Sequence, residues 1–357
     1  MLLELPTVHV SGDPVALGSA YGAACDELIR AFTAQRLRAA KVYLWAHGIR
    51  GLDRLLEAAR DCQQQVADWD PDGLAEHRAT AAAAGVDPDE LFAATNMTDV
   101  RDVVLYADAE SDREGCTSLL IPADRTADGE LIAAQTWDLN PGDLDYIVAV
   151  HRRPDRGPAT WSVTCAGCQS LVGMNEAGLW VGTTNLKTLG TRPGVPYLSL
   201  LHGMLATESV AAASQRLEDA PLAAAHSYWL ADATGGCRYE CSAKQRFRQD
   251  LQAPGLCQTN HCLAADHCIA EAEDPSASSL ARRRRAEAFL RDRSDHDATG
   301  VKELFADRSD GVDSINRYPE DDQGTATNSC LIGIPARREL HACKGPADRG
   351  RWQTLAW

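Results

Sequence analysis

Glu114-Gly115-Cys116-Thr117-Ser118, followed by Gln135-Thr136-Trp137-Asp138, divides the chain into two kinds of sequence. Upstream, apolar residues recur at helical spacing. Asp13-Pro14 opens a long helix over 15–46, with Asp13 as cap and Pro14 at its first position. Leu17, Tyr21, Leu28, Phe32, Leu37, Val42 and Trp45 carry its apolar stripe and Gly48 stops it. Further helices fit 53–66, 73–84 and 88–95. Downstream, short β-rich runs alternate with turn residues: 117–121, a hairpin turn at Asp128-Gly129, then 131–137, 146–151, 160–164, 170–175 and 179–184, read as an antiparallel meander. Helices at 198–205 and 210–217 precede strands at 227–232, 237–241 and 247–251. Helices at 279–291 and 301–305 and strands at 328–334 and 340–343 close the chain. Two groups of strands with helices between and after them imply two packed sheets with helices outside.

A cysteine behind a glycine has a chemical option that most cysteines lack. Its thiolate can attack the preceding carbonyl, because glycine adds no bulk and tolerates unusual dihedrals. Water then opens the thioester and leaves the cysteine at a new N-terminus. Its α-amine, ordinarily of pKa about 8, can serve as base for its own thiol. By itself a Gly115-Cys116 pair carries almost no specificity and reads as a buried structural thiol.

Composition narrows the function. With 357 residues, of which 45% are hydrophobic and 24% charged, the chain has ample material for a folded core. A net charge of −16 argues against nucleic acid, whose phosphates need clustered cations. The one basic run, Arg282 to Arg285, lies among good helix formers and reads as a solvated helix face paired with nearby acids, a phosphate or carboxylate site being the alternative. The N-terminal segment has neither a basic start nor a long apolar stretch, and no window reaches membrane-spanning length, so a cytoplasmic protein is expected. Twelve cysteines in such a chain are expected as reduced thiols. Cys165 and Cys168 with Cys237 and Cys241, or Cys257, Cys262 and Cys268 with His261 and His267, offer a rival zinc reading. Neither cysteine pair has the form of a zinc knuckle, and no metal or cofactor is expected.

The Gly-Cys pair has company in a fixed order: GCTSLL at 115–120, QTWD at 135–138, GMNEAGLWVGTTN at 173–185, GVPYLSLL at 194–201 and TNHC at 259–262. This series resembles the acyl-coenzyme A:isopenicillin N acyltransferase family, autoproteolytic cysteine N-terminal nucleophile hydrolases. The resemblance runs from about Gly115 to about Lys344, and the leader's Gly18-Ser19-Ala20-Tyr21-Gly22 also fits. It implies an α+β, four-layer αββα fold with two stacked, mainly antiparallel sheets. It further implies cleavage between Gly115 and Cys116, residues 1–115 remaining as a helical small subunit against a catalytic 116–357. Cys116 takes the place of the nucleophile, Asp138 that of an active-site aspartate and Asn260 that of the oxyanion-hole asparagine. Ser118 matches a hydroxyl residue associated with self-cleavage, or is a plain strand residue. Asn185 matches an asparagine of the related bile-salt and penicillin V hydrolases. The implied substrates are small-molecule amides or acyl thioesters, acyl-coenzyme A among them. One departure stands out: where the family has a Ser-Arg pair tied to its substrate's carboxylate, this chain has Gln323-Gly324, which argues against a β-lactam. A non-catalytic, unprocessed member that binds a ligand or a protein partner is the alternative.

Overall fold

The computed structural model describes residues 2–105, 115–272 and 274–357, and Glu114 lies outside them. Strand β1 (Thr7–Gly12) precedes six helices, α1 (Pro14–Ala24), α2 (Asp26–Ala46), α3 (Asp53–Trp69), α4 (Pro71–Ala84), α5 (Pro88–Thr95) and α6 (Met97–Leu105). The single helix expected over 15–46 is two. Cys25 leaves helical geometry at φ −124° while still burying its side chain, so the apolar periodicity runs through the break unaltered. Helix α6 was not foreseen, because Thr98, Asp99, Arg101 and Asp102 make it look like a loop although all four are buried.

Strands β2 (Gly115–Ile121), β3 (Ile132–Leu139), β4 (Ile147–Pro154), β5 (Thr160–Cys165), β6 (Val172–Asn175) and β7 (Trp180–Asn185) lead to α7 (Tyr197–Leu205) and α8 (Val210–Asp219). Then come β8 (His226–Asp232), β9 (Gly235–Cys241), β10 (Arg246–Asp250), β11 (Leu256–Gln258), α9 (Ala265–Ile269), α10 (Ala277–Asp292), α11 (Ala298–Phe305), β12 (Ala326–Ile334), β13 (Glu339–Lys344) and β14 (Gln353–Thr354). One sheet has the order β1-β4-β5-β6-β7-β8-β9-β10, the other β11-β2-β3-β12-β13-β14. Only β1–β4 is parallel among the paired strands. The meander expected from 117 to 184 is therefore divided: β2 and β3 belong to the six-stranded sheet, and β4 to β7 to the other. The crossing is made by the short 3₁₀ segment Pro141–Tyr146, whose sequence gives no sign of a change of sheet.

Alternation along β2 sets the layers, since successive side chains of a strand point to opposite faces. Leu119 and Ile121 pack with Ala286 and Leu290 of α10 and Leu304 and Phe305 of α11. Cys116 and Leu120 belong instead to the core shared with the other sheet. The sheets are also stitched together by polar contacts. Ser118 Oγ lies 2.7 Å from Thr184 Oγ1. Thr183 N–H donates to Gln135 Oε1 at 2.9 Å. On the far face of the eight-stranded sheet, Val148 and Val150 pack under Leu17, Tyr21, Ile29 and Ala81 of the leader helices. The result is an αββα sandwich, an α+β fold of two stacked, mainly antiparallel sheets flanked by helices.

Candidate active site

Cys116 is the second residue of β2, paired with Trp137 and 4% exposed. Edge strand β11 runs antiparallel to β2 with Gln258 opposite Ser118, so two residues farther on Asn260 arrives level with Cys116. There the Cys116 backbone N–H donates to Asn260 Oδ1 at 2.7 Å. The Arg282 Nη2 group donates to the same oxygen at 3.0 Å, and Asn260 Nδ2 donates to the carbonyl of Asn185 at 3.1 Å. Those three partners fix which way the amide points, and one N–H of Nδ2 is left over for another acceptor.

Asp138 sits opposite Gly115 and is wholly buried. Neither carboxylate oxygen has a well-formed hydrogen bond, although the Thr327 and Thr136 hydroxyls lie near enough to favour the charged form. Burial pushes its carboxyl up, against the pull of the Arg282 and Arg317 guanidinium groups. Gly115 fits this spot for a steric reason beyond backbone freedom. A Cβ there would lie 2.9 Å from Asp138 Cβ and 2.7 Å from Arg317 Nη1. Burial likewise pulls Arg282 down to about 10, although Asp138 and Cys116 favour its charged form.

The family model for acyl-coenzyme A:6-aminopenicillanic acid acyl-transferase matches residues 125–343, more than half of the chain. The chain belongs to that family. The matched span takes in Asp138, Asn185, Asn260 and Arg282 and begins after Cys116. The acyl-coenzyme A:6-aminopenicillanic-acid-acyltransferase 40 kDa form of Emericella nidulans is 28% identical over 213 residues, 59% of this chain and 57% of that protein. The chain thus matches less than two thirds of that relative's length. Among solved structures, a Caenorhabditis elegans N-acylethanolamine-hydrolyzing acid amidase ortholog aligns at 14% identity over 68% of this chain and 100% of its own, with a TM-score of 0.46. A mutant conjugated bile acid hydrolase from Clostridium perfringens aligns at 12% identity over 68% and 97%, with a TM-score of 0.44.

The basic run reads differently in this family member than in its sequence alone. Arg283 and Arg285 do pair with acids, Glu287 at 2.8 Å and Asp307 at 2.6 Å. Arg282 does not share their solvated face. It is 1% exposed and reaches the carbonyl of Cys116, Thr117 Oγ1 and Asn260. The stripe Ser278, Arg282, Ala286, Leu290, each four apart and all buried, was the signal that marks it as an inward residue. Arg317 had no such signal, because it lies in an irregular segment.

The other expected residues fall as follows. Asn185 ends β7 with its side-chain oxygen buried and without a hydrogen-bond partner, and it shares a cavity with Asn260. Ser118 is committed to Thr184 across the sheets. Gln323 borders the same cavity as Asn260, where Arg317 supplies a cation that Gln323-Gly324 does not. Cys165, Cys168, Cys237 and Cys241 are buried, and burial pushes the Cys168 thiol up to about 12 and the Cys237 thiol to about 11. Among the described residues no three His, Cys, Asp or Glu side chains gather to hold a metal, and no helix is long and apolar enough to cross a membrane.

Proposed function

We propose that the chain is a self-processing cysteine amidohydrolase or acyltransferase. The observation that carries this reading is the convergence of the Cys116 backbone nitrogen, Arg282 and the Asn185 carbonyl on the single side chain of Asn260. The Cys116 thiolate attacks the Gly115 carbonyl, and water hydrolyses the resulting thioester. Residues 1–115 stay docked as the small subunit and 116–357 form the large one. The freed α-amine keeps its bond to Asn260 Oδ1, and departure of Gly115 uncovers Asp138 beside it. That amine takes the thiol proton as the sulfur attacks an amide or thioester carbonyl. The spare N–H of Asn260 meets the developing oxyanion, an interaction worth roughly 3 to 4 kcal/mol in comparable sites. Water or an amine then removes the acyl group from Cys116.

Intact-mass analysis tests this directly. Wild type should separate under denaturing conditions into fragments ending at Gly115 and beginning at Cys116, while Cys116→Ala remains a single inactive chain. A folded wild type that stays whole, together with an active Cys116→Ala, would sink the proposal and favour a non-catalytic member.

A further inference from the structure

A cavity of about 380 Å³ opens beside Asn260. Its walls identify the substrate more closely than the family does. Among the described lining residues the only hydrocarbon side chain is that of Ala277, and no aromatic ring is present. Glu271, Asp274 and Asp313 line it together with Lys187 and Arg317. The guanidinium of Arg317 is turned toward Gly115, with its charge set against Asp138, which leaves the three carboxylates as the larger charge at the cavity. Two buried polar atoms of lining residues have no partner: the acceptor Asn185 Oδ1 and the donor Arg317 Nε, in side chains each 6% exposed. Such orphans are unfavourable unless a bound group satisfies them. A ligand N–H donor would satisfy the first of them.

Resting on the reading of Cys116 as nucleophile, we propose that the substrate is a small aminoacyl amide carrying a free ammonium group. Among the described lining residues, long-chain and aromatic acyl groups find no apolar wall. Coenzyme A thioesters are disfavoured for a second reason. Their phosphates would approach a chain of net charge −16 and a cavity lined by three carboxylates, whereas an ammonium ion is drawn in by the same field. In the reaction the Cys116 sulfur bonds to the acyl carbon and the C–N bond breaks. The amine leaves with the thiol's proton, and water splits the thioester to give the amino acid and the free thiol.

The test uses the processed enzyme and three probes: glycine p-nitroanilide, its isostere propionic acid p-nitroanilide, and propionyl-coenzyme A. Acyl transfer to Cys116 is read by intact mass and p-nitroaniline release by absorbance. The glycine compound should exceed the propionyl anilide in kcat/KM by about tenfold or more, an advantage that shrinks as salt screens the charges. Asp274→Asn combined with Glu271→Gln should bring the ratio toward one. Equal or faster acylation by the propionyl anilide or by the thioester would overturn the substrate class while leaving the nucleophile reading intact. So would no acylation by any probe of an enzyme whose Cys116 is N-terminal and preferentially alkylated by iodoacetamide. An uncleaved chain whose Cys116 is not preferentially labelled would remove both readings.

Discussion

Arg282 shows how much one side chain can settle. Its planar fork donates from Nη1 to the Cys116 carbonyl and Thr117 Oγ1 and from Nη2 to Asn260, while Nε donates to Ser278 Oγ. A lysine keeps the charge but offers a single, strongly hydrated point in place of that fork. Arg282→Lys should therefore slow Cys116 acylation about 10- to 100-fold, the loss expected for one hydrogen bond to a charged group at roughly 1.5 to 3 kcal/mol. A purely structural arginine would instead lower the thermal midpoint and leave the acylation rate alone, and that result would exclude the role. The legibility of the site divides along the same line. Gly115, Cys116, Asp138 and Asn260 were readable because they sit in strands or short motifs with a fixed order. Arg282 was hidden by its three solvated neighbours, and Arg317 approaches only through tertiary packing.

At the scale of elements, the decisive piece is the loop that follows β11. Strand β11 is only three residues long and was not expected, since so short a run has no readable period. Its loop is nevertheless tightly determined. Glu240 on β9 is fully buried and accepts from Leu263 N–H at 2.9 Å, Ala264 N–H at 2.9 Å, Gln258 Nε2 at 3.1 Å and a ring nitrogen of His267 at 3.2 Å. On the other side Thr259 Oγ1 donates to the carbonyl of Ser279 on α10. Asn260 is thus held between a strand of one sheet and a helix on the other. Glu240→Gln would turn an amide N–H₂ toward groups that are themselves donors. It should slow acylation by about tenfold with milder loss in Cys116 alkylation, and Glu240→Asp should recover part of the rate. Parallel loss of both readouts would mean general unfolding. The same logic explains what of the fold was legible. Most helices and strands followed from periodicity within a few residues at either end, whereas the assignment of β2–β3 and β4–β7 to different sheets depends on contacts such as Thr183–Gln135 that no local pattern announces.

For the whole molecule, the leader is part of the sandwich. Strand β1 pairs with β4 from Thr7–Ala149 onward. Helices α1 and α4 touch backbone to backbone, as a Cβ on Gly18 would come within 2.1 Å of the Glu76 carbonyl and one on Gly22 within 2.4 Å of that of Thr80. Buried ion pairs join residues before Gly115 to residues after it, Arg36 with Asp143 and Glu76 with Arg152 at 2.7 Å, and a buried hydrogen bond of 2.6 Å links Asp99 to His226. This predicts a defined response to acid. Glu76 is buried at a cost to its charge, yet Arg152 and His202 hold its carboxyl down to about 2, from an ordinary 4.5. His77 and His261 are lowered as well, by burial, both to about 4 from 6.5, with Arg283 and Arg282 adding to the effect at His261. In each case the unfolded chain binds protons at a higher pH than the folded one, so stability falls as pH falls through the gap. The histidines act between about 6.5 and 4, and Glu76 between about 4.5 and 2. The thermal midpoint of the processed protein should accordingly decline in two overlapping stages below about pH 6.5. In a chain cleaved as proposed, fragments 1–115 and 116–357 should begin to separate on gel filtration only in the lower stage, where the Glu76–Arg152 pair is discharged. Glu76→Gln should weaken that lower stage while destabilising the neutral protein by about 3 to 5 kcal/mol, because it leaves Arg152 buried without its partner. A midpoint that rises as the pH is lowered from about 6.5 to about 4, or fragments that part at neutral pH, would contradict this account of how the leader is held.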